Sequence, residues 1–373
     1  MERTLTRKQL KILAFLAALS PILRLIPGAV ARQAGAAAWL SPLFAAPWLM
    51  ILAAFLTQFL NRVCPGKGLG QGILLTLGPK FGAAVLLLWA GWLIFLCGFT
   101  LRSGAERFIA TIFPNSAPWP MIAMMALLML PAGLGSVKIL ARSAEIFRPL
   151  LLLTLILLFA VFLPSVRPEF VLPVLPPDLP GVFRGSLVIA DSLCFILLTT
   201  AFLTGHSDGQ PLRFREFAKW VLLFLLLAFA LCLLTVGVLG ATVTRQLVYP
   251  FFAIVWSLNL FGSAARIEAF VVGLWILPDF VLLSMNLTVA SELLMTLFGG
   301  EKIPARLLYF RSGGKWVWLC TFLAVVVSVC IAKDTQELSF WSERFVPVVN
   351  LTITALIPPI LWLTAKRKHL LDP

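Results

Sequence analysis

Apolar residues in this chain do not alternate with polar ones. They run on without a break and stop at short polar interruptions. Runs of about 20 residues match the hydrocarbon thickness of a bilayer when wound into an α-helix. Such runs lie at 9–31, 36–60, 80–101, 119–136, 148–164, 184–204, 218–243, 266–298, 315–333 and 344–364, which predicts ten transmembrane helices. The connections between them are short, so the expectation is an all-α integral membrane protein with a single polytopic domain over 1–373 and no soluble module. Met1 to Ala34 reads as the first span and not as a cleaved leader, because Pro21, Arg24 and Pro27 interrupt a run longer than a leader's apolar core.

Two spans depart from a plain helix. The first carries Ser20-Pro21 near its middle and Pro27 beyond, and each proline removes a backbone donor and crowds the preceding turn, so a break at mid-membrane is expected. The eighth run is too long for a perpendicular helix and holds Pro278-Asp279, which predicts a tilt or kink. Ten spans divide as five plus five, with inverted halves of roughly 1–165 and 180–373 joined by the proline-rich stretch Pro164 to Pro180. Spans one and six then hold corresponding positions in opposite orientation. This is a 5+5 inverted-repeat transporter fold, in which helices 1 and 6 are interrupted and face each other at the site.

Composition supports the membrane reading. The chain is 60% hydrophobic and 12% charged, with a mean hydropathy of +0.99, whereas soluble domains carry about 25% charged residues. A net charge of +14 would suit a nucleic-acid surface, but the basic residues sit at the ends of apolar runs and form no patch. With the N-terminus inside, 20 of the 30 Lys and Arg residues lie on the cytoplasmic side and 9 outside, with Arg24 intramembrane. That bias places both termini in the cytoplasm. The six cysteines show no C-x-x-C spacing and only two histidines exist, so no disulfide framework, metal site or cofactor is expected. Gly66-Lys67-Gly68 lacks the Ser or Thr of a phosphate loop. No acid/base pair or nucleophile arrangement supports an enzyme.

Charges inside spans are the informative residues, because each costs about 2.5 to 3.5 kcal/mol at the bilayer centre on insertion scales. Arg24 falls about 6 Å past the middle of span one, and Asp191 falls at a similar depth in span six, which runs the other way. If the two spans cross centrally, Arg24 and Asp191 pair directly or through a ligand. In the ligand-binding reading the broken stretch Ser20, Pro21, Ile22, Leu23 and Arg24 attracts a carboxylate, while Asp191 and Ser192 accept an ammonium or another donor. In the structural reading the pair is a fixed salt bridge, or Arg24 snorkels outward. Arg266, Glu268 and Asp279 of span eight are assigned structural or coupling roles. Glu145 with Arg142 and Arg148 is expected to form a solvated cytoplasmic cluster.

Four motifs together resemble the spore germination permease family: Cys64-Pro65-Gly66-Lys67-Gly68-Leu69-Gly70 before span three, Ala141-Arg142-Ser143-Ala144-Glu145-Ile146 after span four, Tyr249-Pro250-Phe251-Phe252 after span seven, and Arg266-Ile267-Glu268-Ala269-Phe270 with Trp275 in span eight. These are the B subunits of nutrient germinant receptors, within the amino acid, polyamine and organocation transporter superfamily. The resemblance implies a germinant-sensing subunit that binds an amino acid or similar nutrient between helices 1, 3, 6 and 8. It implies the spore inner membrane of a bacterium, and partners that are receptor A and C subunits besides the lipid bilayer. An active secondary amino acid transporter, proton-coupled or exchanging, is the alternative. By position, the unwound part of span one would be Leu19 to Pro27 and its partner Ile189 to Cys194. The chain departs from the family's glycine-bearing break: Leu19-Ser20-Pro21-Ile22-Leu23-Arg24 puts an arginine where a ligand would sit, which favours an acidic ligand or a subunit without a ligand of its own.

Overall fold

The computed structural model describes residues 5–111, 116–207, 211–256, 273–299 and 314–371. Helices account for nearly all of them: α1 (Arg7–Arg24), α2 (Ile26–Ala34), α3 (Ser41–Val63), α4 (Leu69–Leu77), α5 (Pro79–Thr111), α6 (Pro118–Leu134), α7 (Val137–Phe162), α8 (Leu179–Leu203), α9 (Phe214–Leu239), α10 (Ala241–Gln246), α11 (Pro250–Trp256), α12 (Ile276–Phe298), α13 (Gly314–Cys330), α14 (Thr335–Phe340) and α15 (Val346–Arg367). Among the described residues, seven helical stretches are long and apolar enough to cross a membrane, and α6 and α13 are shorter apolar helices.

The helices differ in what surrounds them. α7 turns Leu150, Leu153, Ile156 and Leu157 outward, as a lipid-facing helix does. α1 is buried on all sides from Ile12 to Arg24, packed among α7, α8, α9 and α12. A helix with no outward face must be apolar all round or must satisfy its polar groups inside the protein. Ser20 and Arg24 are therefore committed to the interior by the packing of α1 itself.

Span one is interrupted less than the prolines suggest. The chain stays helical through Arg24, the Leu25 N–H returns to the Pro21 carbonyl at 2.9 Å, and only Leu25 (φ −107°, ψ −42°) departs from the helix before α2 begins. Pro21 removes a single donor, and Pro27 falls in the first turn of α2 where no donor is needed. The expected unwinding of Leu19 to Pro27 thus reduces to a one-residue joint. Helix 6 is not interrupted at all: α8 is continuous across Ile189 to Cys194, and no Gly or Pro occurs between Ser186 and Leu203 to break it.

At the face holding the N-terminus, the Leu5 N–H bonds the His206 carbonyl at 2.8 Å, and Arg7 and Lys11 both reach Glu216 at 3.4 and 3.1 Å. Gln9 Nε2 donates to Glu145 Oε2 at 3.2 Å, so Glu145 ties α7 to α1 and is not a purely solvated charge. The turn before α4 needs its glycines. Gly66 has φ 69°, and a Cβ on Gly68 would collide with the Phe202 carbonyl. Burial pushes the neighbouring Cys64 thiol up to about 12, which leaves it an inert packing group at neutral pH.

Candidate functional site

Ser20 and Arg24 are four residues apart on α1, so they share one face, and that face meets α5 and α12. From α12, Asp279 is held by two donors: the Ser20 hydroxyl to Oδ1 at 2.5 Å and Arg107 Nη2 to Oδ2 at 2.5 Å. Arg107 comes from α5, as does Ser103, whose hydroxyl accepts from Arg24 Nη1. Relative exposure is 2% for Arg24, 1% for Arg107 and 0% for Asp279, so these charges lie wholly within protein. In such surroundings an ion pair is kept only when both members stay hydrogen-bonded.

Aromatic rings close the cluster. The Arg24 guanidinium lies over Phe99 at 5.8 Å, and the Arg107 guanidinium lies over Phe252 at 5.3 Å and Phe108 at 5.5 Å. Phe252 packs edge-on against Trp275 at 4.2 Å and Phe251 stacks on the same indole at 5.1 Å. The Tyr249 hydroxyl donates to the Ser103 carbonyl at 3.3 Å. Tyr-Pro-Phe-Phe and Trp275, far apart in sequence, therefore form one lid on the guanidiniums.

The two arginines are used differently. Arg107 holds the Asp279 carboxylate, whereas Arg24 makes no ion pair among the described residues, and its Nε has no hydrogen-bond partner. Among the described residues the indole N–H of Trp275 also lacks a partner. A buried donor without an acceptor is costly, so both groups would gain from one.

Arg24 and Asp191 form no direct ion pair. Asp191 is buried at 2% exposure, accepts a hydrogen bond from Ser192, and enters no ion pair among the described residues. The Ser20–Arg24 face is taken up by Asp279 of α12 and Ser103 of α5, so Arg24 is turned towards those two helices. Of the remaining expected site residues, Pro21, Ile22 and Leu23 are buried in α1, and Arg266 and Glu268 lie outside the described residues.

Sequence reasoning missed Arg102, Ser103, Glu106 and Arg107 because the charges seemed to end the third apolar run at residue 101. α5 continues to Thr111. Arg102 pairs with Glu106 at 2.9 Å and donates to the Ala332 carbonyl at 3.2 Å, while Glu106 accepts from the Thr335 hydroxyl. The available signal was the four-residue spacing of opposite charges, which neutralises both on one helix face.

Comparison with known proteins supplies the context. The family described as "Spore germination protein" matches residues 4–357. No curated protein matches the chain in sequence. Among solved structures, MhsT in complex with L-phenylalanine superposes with a TM-score of 0.69 at 15% identity, covering 95% of this chain and 89% of the other. Mhp1, a nucleobase-cation-symport-1 family transporter in a closed conformation with bromovinylhydantoin bound, superposes with a TM-score of 0.60 at 13% identity, covering 100% of this chain and 82% of the other. These likenesses show that the chain shares the fold of these two proteins. Neither the family nor these neighbours are enzymes.

Proposed function

From membership in the spore germination protein family, to which this chain belongs over residues 4–357, we propose that it is the germinant-sensing membrane subunit of a spore germination receptor. Its ligand is a small carboxylate-bearing nutrient, amino acid-like, held at mid-membrane. The observation that carries this reading is the Arg24 guanidinium, buried beside a saturated Asp279 with its own Nε unpartnered. A guanidinium presents its donors in a planar fork suited to a carboxylate, and burial strengthens that bond.

In this reading α3, α5, α7, α8, α9, α12 and α14–α15, together with α6, α13 and the α1–α2 pair, make ten crossings in two inverted halves, 1–165 and 180–373. Both termini are cytoplasmic, the location is the spore inner membrane, and receptor A and C subunits are the partners. The ligand sits against helices 1, 3 and 8, with Arg24 and Ser103 gripping its carboxylate and Trp275 donating to it. Its binding bridges α1 and α5 and shifts the joint at Leu25, which transmits occupancy to the partner subunits.

A second reading is favoured by Asp191. A carboxylate buried in a span that, among the described residues, accepts a hydrogen bond only from the Ser192 hydroxyl is a candidate proton carrier, as in a proton-coupled amino acid transporter. The MhsT structure holds L-phenylalanine and the Mhp1 structure a hydantoin, so small ligands occupy both neighbouring proteins. Proteoliposomes carrying this chain alone separate the two readings. A receptor subunit shows ligand-induced thermal stabilisation without concentrative uptake and gains yield from co-expressed partners. Uptake collapsed by a protonophore means a transporter.

A further inference from the structure

On the face opposite the N-terminus lies an open depression of about 410 Å³. Its location follows from α8: the turn after its far end meets Leu5 through His206, while its beginning packs on the end of α2, where a Cβ on Gly181 would collide with the Gln33 carbonyl. Three arginines from three separate elements line it: Arg32 from α2, Arg184 from α8 and Arg245 from α10. Arg32 Nη1 donates to the Arg245 carbonyl at 3.4 Å, and Arg245 Nη2 comes so close to Gly35 that a Cβ there would sit 3.7 Å away. All three arginines line the same depression.

Their charges are not balanced locally. Arg32 pairs with Glu343 at 2.9 Å, but among the described residues Arg184 and Arg245 have no carboxylate within ion-pair distance. Asp178, the one acid in the lining, accepts the Leu175 N–H at 2.9 Å. Like charges gathered around a concave surface raise the local concentration of anions, and the cost of gathering them is relieved when an anion arrives.

We propose that this depression is an anion-binding site, distinct from the Arg24 cluster, that takes a phosphate or carboxylate group through Arg184 and Arg245. The group is carried either by a soluble anion or by an acidic lipid headgroup at the membrane edge. Arg184 and Arg245 are exposed, so their replacement leaves the folded core untouched.

The test measures thermal unfolding of the full chain in nanodiscs against inorganic phosphate, with chloride at matched ionic strength as reference. Nanodiscs of phosphatidylcholine and of phosphatidylglycerol are compared. In the double variant Arg184→Gln, Arg245→Gln the phosphate concentration for half-maximal stabilisation rises about tenfold, while Arg142→Gln, Arg213→Gln, which removes the same charge from the other face, leaves it unchanged. Stabilisation of wild type and the Arg24→Met variant alike by phosphate in phosphatidylcholine identifies a soluble anion. Stabilisation confined to phosphatidylglycerol and lost in Arg184→Gln, Arg245→Gln identifies a headgroup. Equal responses of wild type, the depression variant and the control variant in both lipids overturn the proposal.

Discussion

Two buried aspartates of this protein sit at similarly low exposure and are treated in opposite ways. Asp279 on α12 is locked by Ser20 and Arg107, so it joins α1, α5 and α12 through one carboxylate. Asp191 on α8 has a neighbouring hydroxyl and, among the described residues, no cation paired with it. Burial alone therefore does not say what a carboxylate does. The distinction lies in whether its partners come from other helices, because only such bonds hold the bundle together.

Substitutions that break this contrast fall in a clear order. Asp279→Asn leaves the Arg107 guanidinium without its carboxylate inside protein, at a cost of about 3 to 5 kcal/mol. The expected result is a steep loss of monodisperse protein in detergent, and pairing the change with Arg107→Met restores part of the yield in a double-mutant cycle. Ser20→Ala removes one charge-assisted hydrogen bond to Asp279, with an expected loss of about 1.5 to 3 kcal/mol read as a lower melting temperature. Asp191→Asn keeps size and shape and breaks no ion pair, so its melting temperature stays within about 0.5 kcal/mol equivalent of wild type or rises. If Asp191→Asn proves as damaging as Asp279→Asn, the contrast between the two carboxylates is lost.

Much of the architecture could be read from the apolar runs, because a bilayer fixes helix length and each run terminates at charges. Reading failed where charges were buried and not terminal. Arg102, Glu106 and Arg107 ended the third span on paper, yet α5 runs past them since each finds a partner within protein. The place of Arg24 inside the first apolar run was legible, but not the direction it faces, because sequence gives position along a helix and neighbours are chosen by packing. Asp279 was accordingly assigned a structural or coupling role in span eight without its link to Ser20. The expected break in helix 6 was inferred from the inverted-repeat analogy, against a stretch from Ser186 to Leu203 that contains no residue able to break a helix.

The central claim is that Arg24, a buried guanidinium that makes no ion pair among the described residues, receives a ligand carboxylate. Titration of the purified protein with L-glutamate and L-aspartate by calorimetry, beside Arg24→Met and Asp191→Asn, tests it directly. The account predicts binding to wild type, a loss of about a hundredfold or more in Arg24→Met from the missing charge-assisted bonds, and less than about threefold change in Asp191→Asn. Undiminished binding to a folded Arg24→Met variant would contradict it.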